Sequence, residues 1–382
     1  MRALPAAPLA PMDVAGRADR VRARFGEAGG DDGPGIDALL VTDLTNVRYL
    51  TGFTGSAARL LVTADRLLLV TDGRYAVQAP DEVAASGVDV AVEVAGTQAD
   101  QDAILAGAVP PGARLGLEAA SVTWAAQRRY AQDPWAGDLV PTTDVVEAVR
   151  LVKDAGEVDR LARAAAIADA ALAAIAPRLV DRPTEAEVGL ALDVEMRRLG
   201  ADGVSFETIV ASGPNGARPH HHPGPRTITD GDLVVIDFGA LVDGYHSDMT
   251  RTFAPGGISP TQERMVQVVR DAQAAGVAAV RAGVEARAVD ATCRDLIEAA
   301  GWGEAFGHGT GHGVGLVIHE EPRVSRTSTA RLATGHVVTV EPGVYLPDHG
   351  GVRIEDTVVV TDDGCRPLTL APKDLTPLAP TA

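Results

Sequence analysis

From Asp37 to about Val149 the chain alternates short apolar runs with helical stretches. DALLVTD, VDVAVEV and ARLGLEA are rich in leucine and β-branched residues and are bounded by turn residues, so each predicts a strand. RLLVTADRLLLVTD is a longer run broken at Ala64-Asp65, which predicts a hairpin. VTWAAQRRYAQ predicts a helix with Trp124 and Tyr130 turned inward. These elements make a small α/β domain. VEAVRLVKDAGEVDRL reads as a linker, and the alanine-rich helix after it runs to about Leu179.

The pattern then becomes repetitive. DRPTEAEVGLALDVEMRRLGA carries a helix start in its sequence, Thr184 as N-cap with Glu187 three residues on. After it come FETIVASGP, a loop holding His220, His221 and His222, and a hairpin through Asp237 and Asp248. A second helix start follows, with Ser259 as cap, Pro260 at the first helical position and Gln262 closing the box. That helix runs to about Arg281, and another spans roughly Glu285 to Ala300. A glycine-histidine stretch and a hairpin through Glu341 and Glu355 complete the pattern. Two helices and a hairpin, twice over, predict an internal duplication with a site at the junction of its halves.

Length supports two domains, since 382 residues exceed a comfortable single core. The expected division is a loose leader over 1–34, with a short helix from Ala15 to Phe25, then an amino-terminal domain over 35–150 and a second domain over 151–382. The apolar fraction is 46%, and no window approaches the roughly 18 uninterrupted apolar residues of a membrane span. No apolar stretch follows Arg2, so no secretory signal is read. Two cysteines, Cys293 and Cys365, make no disulfide framework and predict reduced thiols in the cytoplasm. The net charge of −18 argues against nucleic acid as a partner.

Chemistry concentrates in the second domain. With the first hairpin's turn centred on Val242-Asp243, Asp237 and Asp248 fall directly opposite one another. Two carboxylates about 5 Å apart repel by about 3 kcal/mol at an effective dielectric near 20, and a cation between them removes that cost. Glu341 and Glu355 are symmetric about Asp348 and predict a second opposed pair. Four carboxylates with one imidazole suit two ions of Mn, Fe, Co or Zn. The imidazole is expected from His308, His312 or His319, on a stretch with glycines at Gly307, Gly309, Gly311, Gly313 and Gly315. Such a backbone can approach a ligand closely, and the remaining histidines are free to position substrate or stabilise an oxyanion.

At these residues the chain resembles the pita-bread metallopeptidases: aminopeptidase P, prolidase, methionine aminopeptidase and the metal-free creatinase. The motifs run in the family's order from about Val152 to Leu370, and RYLTGFTGS and TDGRYAVQA resemble the amino-terminal domain of aminopeptidase P. The resemblance implies an α/β (α+β) chain, a creatinase-like domain before a pita-bread domain with a pseudo-two-fold repeat. It also implies metal ligands at Asp237, Asp248, His312, Glu341 and Glu355, with Asp248 and Glu355 bridging. All five are present, which argues against a creatinase-like role. His220 in GARPH matches a catalytic histidine, with His221 the alternative if the register of HHH shifts by one. His308 and His319 match the histidines flanking the ligand, and Tyr345 and Arg353 the supporting polar residues. The implied activity is release of the residue before proline by a hydroxide bridging two metal ions, Mn(II) first, Co(II) or Zn(II) otherwise. Glu341 would accept the proton. Aminopeptidase P is the leading expectation, on peptides with proline at the second position, and prolidase, limited to Xaa-Pro dipeptides, is the alternative. A non-catalytic peptide-binding module on the same fold is a further one. A homodimer or higher assembly is implied, with no nucleic-acid or membrane partner.

Overall fold

The structure, a computed structural model, describes residues 8–29, 35–132, 134–135 and 137–375. The chain forms two compact units, residues 12–150 and the remainder. No helix among the described residues is long and apolar enough to cross a membrane.

The first unit is built on a six-stranded mixed sheet. Ala38–Val41 lies inside it, antiparallel to Ala58–Thr63 and parallel to Arg114–Glu118. Leu39, Leu40, Leu60 and Leu61 are fully buried. Ala58–Thr63 turns back into Leu67–Thr71 around Ala64-Asp65. Trp124 departs from expectation. It is the first residue of the Trp124–Tyr130 helix, directly after the Thr123 cap, and is 77% exposed. The buried indole belongs to Trp135, whose ring meets Tyr130 edge-on at 4.9 Å. Residues 12–29 also depart from a loose leader. Val14, Ala18, Val21 and Phe25 form a buried stripe at helical spacing, which the arginines of RADRVRARF mask in the sequence. The Arg17 guanidinium donates to the Tyr49 carbonyl and lies 4.1 Å from the Tyr49 ring centre. Residues 1–7 and 30–34 of the expected leader lie outside the described residues.

The second unit carries the repeat. In its first half, helices Ala155–Ile175 and Glu185–Arg198 precede a three-stranded sheet of Ile209–Ser212, Val234–Phe238 and Met249–Phe253. In its second half, helices Pro260–Ala279 and Ala286–Ala299 precede Gly311–Gly313, Val337–Val340 and Asp356–Val360, joined in the same order. Reciprocal capping boxes start three of these helices, at Asp154, Thr184 and Ser259. Each hairpin extends past its sheet into a second short ladder, Ala240–Val242 with Tyr245–His246 and Gly343–Leu346 with Gly350–Arg353. Each half has its own apolar core, one around Ile236, Phe238 and Leu192, the other around Val338, Val340 and Val269.

The first hairpin's register corrects the sequence reading. Asp243 and Gly244 have φ of 46° and 75°, the positive pair that a type I′ turn requires. The turn is therefore centred one residue later than Val242-Asp243. Asp237 pairs with Thr250, not with Asp248. In the second hairpin Gly343 pairs with Arg353 and Val340 with Asp356, so Glu341 and Glu355 face each other between the two ladders.

Candidate metal centre

Asp248 and Glu355 occupy equivalent places, each the residue immediately before the third of the three strands named for its half. The strands they introduce are bonded across the pseudo-symmetry axis. Thr250 Oγ1 donates to Glu355 Oε2 at 2.7 Å, and Thr357 Oγ1 donates to the Asp248 carbonyl at 2.8 Å. The Glu355 N–H donates to the Thr250 carbonyl at 3.1 Å. Asp237 is the penultimate residue of the strand Val234–Phe238, and Glu341 follows Val337–Val340 directly. Each half thus carries two carboxylates, one of them, Asp248 or Glu355, at a matched position.

His312 sits on the short strand Gly311–Gly313. A Cβ on Gly311 would overlap the Thr339 carbonyl oxygen, and one on Gly313 the Glu321 carbonyl oxygen. The glycines beside His312 thus answer to neighbouring strands rather than to close approach of a ligand. Nδ1 of His312 donates to the Gly313 carbonyl at 3.0 Å. Its Nε2 lies 3.5 Å from Asp248 Oδ2 and 3.4 Å from Glu341 Oε1. Asp248, His312 and Glu355 each present a ligand atom within 4.8 Å of the others.

The electrostatics favour a cation. Burial first, then mutual repulsion, pushes Asp248 and Glu355 well above the usual carboxylate range and raises Asp237. Burial also works against Glu341, but its hydrogen bond with His312 and the positive groups around it hold it down at about 2. In neutral His312 the Nδ1 proton is committed, so Nε2 turns a bare lone pair toward carboxylate oxygens. A divalent ion would bind that lone pair and the carboxylate oxygens together. Two buried oxygens, Asp237 Oδ1 and Glu355 Oε1, have no hydrogen-bond partner among the described residues. Buried acceptors without partners are costly, and a metal ion satisfies both. The donor set, four carboxylates and one imidazole around one cavity, fits hard to borderline divalent ions.

Residues 159–362 match the family model for metallopeptidase family M24, and residues 17–152 that for the creatinase/prolidase N-terminal domain. The chain belongs to metallopeptidase family M24. A Xaa-Pro dipeptidase of Bacillus anthracis has a similar solved structure, with a TM-score of 0.85 and 39% identity over 94% of this chain and 98% of that one. An X-Pro aminopeptidase of Thermotoga maritima gives a TM-score of 0.83 and 34% identity over 94% and 99%. A Xaa-Pro dipeptidase of Pyrococcus horikoshii is 34% identical over 341 residues, 89% of this chain and 94% of that one. The M24 unit has the pita-bread fold.

Around the ligands this M24 peptidase encloses a cavity of about 480 Å³, within the range of small-ligand pockets. His220, His308 and His319 all line it, but their commitments differ. His308 Nδ1 donates to the Gly309 carbonyl at 2.8 Å, and its Nε2 accepts from the Tyr345 hydroxyl at 2.9 Å. Burial lowers its pKa, so the ring is neutral and both nitrogens are occupied. His319 meets His312 edge-on at 4.4 Å, and among the described residues neither it nor His220 has a hydrogen-bond partner. Burial, then the charge of His312, lowers His319 to about 4. His221 turns away from the cavity and places Nε2 at 2.9 Å from Glu185 Oε2.

Arg353 is buried and held by four hydrogen bonds. It donates to Asp237 Oδ2 at 2.6 Å, to Thr250 Oγ1 at 3.0 Å, to the Tyr345 hydroxyl at 2.8 Å and to the Pro219 carbonyl at 3.3 Å. Four of its five N–H donors are thus committed, and it anchors both the Asp237 carboxylate and the loop at Pro219. Sequence reasoning missed the pair Asp290 and Arg294, whose spacing of four reads as a solvated helix face. Asp290 Oδ1 accepts from Thr310 N and Oγ1, and Arg294 donates to the carbonyls of Phe306 and His308. The pair grips the backbone on both sides of Gly309. Arg323 was also missed. It lines the cavity, in HEEPR directly after the histidine stretch.

Proposed function

We propose that this M24 peptidase is a prolidase, a dinuclear-metal enzyme that hydrolyses Xaa-Pro dipeptides. Arg323 carries the reading. Its side chain is 48% exposed on the cavity wall, and its ion pair with Glu321 spans 4.0 Å. A dipeptide brings its terminal carboxylate one residue beyond the scissile carbonyl, where a guanidinium binds it through two parallel hydrogen bonds. A longer peptide presents an uncharged amide there and leaves the guanidinium unpaired. The sequence alone favoured the aminopeptidase reading. The dipeptidase names of two similar proteins, one of them 39% identical, weigh the other way. The Thermotoga likeness keeps the aminopeptidase as the rival.

Asp237, Asp248, His312, Glu341 and Glu355 would hold two divalent ions, Mn(II) foremost for so oxygen-rich a set. Bound there, the ions acidify a water and polarise the scissile carbonyl. Glu341 accepts the proton of the attacking water on its carboxylate. His319, uncharged at neutral pH with its pKa near 4, donates an N–H to the oxygen on which charge develops. His220 supplies a second donor from the opposite loop. His308 touches no substrate in this scheme; it orients Tyr345, which with Arg353 fixes Asp237.

The test compares proline release from a Xaa-Pro dipeptide with first-residue release from a Xaa-Pro-Yaa tripeptide, by protein stripped of metal and resupplied with Mn(II). Metal-dependent cleavage of the dipeptide with the tripeptide spared is the expected result. Equal turnover of both would return the assignment to the aminopeptidase, and silence on both with metal bound would end the peptidase reading.

A further inference from the structure

Glu185 is the first residue of the helix Glu185–Arg198, and its side chain is fully buried. Buried carboxylates are rare unless paired, and this one is saturated. Oε1 accepts from Ser212 N at 2.8 Å, Ser212 Oγ at 2.7 Å and Asn215 Nδ2 at 3.0 Å. Oε2 accepts from Asn215 Nδ2 at 3.1 Å, His221 Nε2 at 2.9 Å and Gly224 N at 3.2 Å. All these donors belong to the segment 212–224, which holds His220 and the Pro219 carbonyl that accepts from Arg353. The backbone adds to the grip: Glu185 N donates to the Arg226 carbonyl and Ala186 N to the Gly224 carbonyl, both at 3.0 Å. His221 and His220 are adjacent, so a ring held by Glu185 outside the cavity directs its neighbour in. The second half has the same device. Asp290, on its second helix, accepts from both N and Oγ1 of Thr310, as Glu185 does from N and Oγ of Ser212.

We propose that Glu185 and His221 form a latch that positions His220 at the reacting carbonyl, so that both are positioning residues for the hydrolysis. The inference rests on the reading of His220 above. Neither latch residue lines the cavity or belongs to the metal-ligand set, so the metal centre should survive their loss.

The test measures kcat and KM on a Xaa-Pro dipeptide, Mn(II) binding by calorimetry, and thermal unfolding, for E185Q, H220A and the double variant. Displacement of a catalytic group by about 1 Å costs up to about 100-fold. The expected result for E185Q is a kcat about 10- to 100-fold lower, Mn(II) affinity within about twofold of wild type, and no further loss when E185Q is added to H220A. Should E185Q fail to fold, H221A and H221Q serve instead. H221A should lose about 10-fold in kcat, but only where His220 is present, and H221Q, whose amide can still donate to Glu185, should recover most of it. A fully active E185Q beside an impaired H220A overturns the latch alone, as does a loss that multiplies with that of H220A or tracks a loss of Mn(II). A fully active H220A overturns the reading of His220 and the latch with it.

Discussion

Asp237 and Asp248 differ in what else they touch. Asp237 is tied to Arg353 through one oxygen, whereas Asp248 faces His312 Nε2 at 3.5 Å and is counted among the mutually close ligand atoms. Asp248→Asn removes a charge from that group while keeping its size. Binding of Mn(II) should weaken at least about 100-fold and dipeptide turnover should fall with it, since each ligand contributes several kcal/mol to a divalent site. Calorimetry and proline release on the same sample check this, and full turnover without bound metal would refute the ligand set. Arg323 has the opposite signature. Arg323→Met should raise KM for a Xaa-Pro dipeptide about 10- to 100-fold, the worth of a charge-assisted pair, with kcat less affected. An unchanged KM would remove the argument for a dipeptidase. At this scale the sequence exposed what motif and chemistry share: the acids, the histidines and the glycines between them. It did not expose Glu185, Asp290 or Arg323. A buried carboxylate with backbone donors looks, in one dimension, like any charge on a helix surface.

Elements were legible where their punctuation is local. The capping boxes at Thr184 and Ser259 start helices where Thr-x-x-Glu and Ser-x-x-Gln place them. The first hairpin was misjudged by one residue at its centre because LVDG was read without weighting Asp-Gly, the pair that tolerates two positive φ angles. The glycine-histidine stretch was recognised without its packing reason, because the Thr339 and Glu321 carbonyls that exclude a Cβ come from the two strands paired with it and carry no local signal in the sequence. That packing has a consequence. Gly311→Ala should cost about 1–3 kcal/mol in stability and weaken Mn(II) binding by shifting His312. Gly307→Ala, where a Cβ meets nothing within 4 Å, should do neither. Urea unfolding with calorimetry on both variants decides it, and equal behaviour would locate the constraint elsewhere. His336, just before the strand Val337–Val340, adds a pH prediction. Burial, then Lys153, lowers its pKa from 6.5 to about 4, and its Nδ1 accepts from Ala333 N. The unfolded chain therefore takes up a proton between about pH 6.5 and 4 that the folded chain refuses. Stability from this group is present above that window and lost as pH falls through it, by up to about 3 kcal/mol. His336→Asn keeps an acceptor for Ala333 and removes the titration. Wild type should therefore lose more stability than the variant between pH 7 and 4. Parallel losses would show that His336 is not buried neutral.

In the M24 unit as a whole, duplication places two carboxylates in each half, and the halves meet through Thr250, Glu355, Thr357 and Asp248. Leu233 of the first half also packs into the second half's apolar core, so apolar and polar contacts both join the halves around the acids. The repeat was legible as an order of helices and hairpins. The cross-bonding was not, because residues about a hundred positions apart share no local pattern. Bound metal then acts on the stability of the unit and not on catalysis alone. A ligand at about 100 times its Kd stabilises by about 2.7 kcal/mol, which is about 5–10 °C in Tm for a unit of this size. The pH dependence has a definite sign. Without metal, Asp248 and Glu355 have folded pKa values raised well above those of the unfolded chain, by burial and then by the neighbouring carboxylates. The folded apoprotein therefore holds protons that the unfolded chain has released. The stability these groups contribute is fully present below the unfolded pKa, near 4, and is lost as pH rises through the raised values. Metal reverses this, since it binds the deprotonated ligands and competes with protons for them. The Tm of chelated protein should accordingly fall relative to that of Mn(II)-loaded protein as pH rises from 5 to 8, and the gap between them should widen steadily. Thermal unfolding of both forms across that range tests the claim that one acidic centre joins the halves. A gap independent of pH would mean that the ion stabilises the fold from somewhere other than these carboxylates.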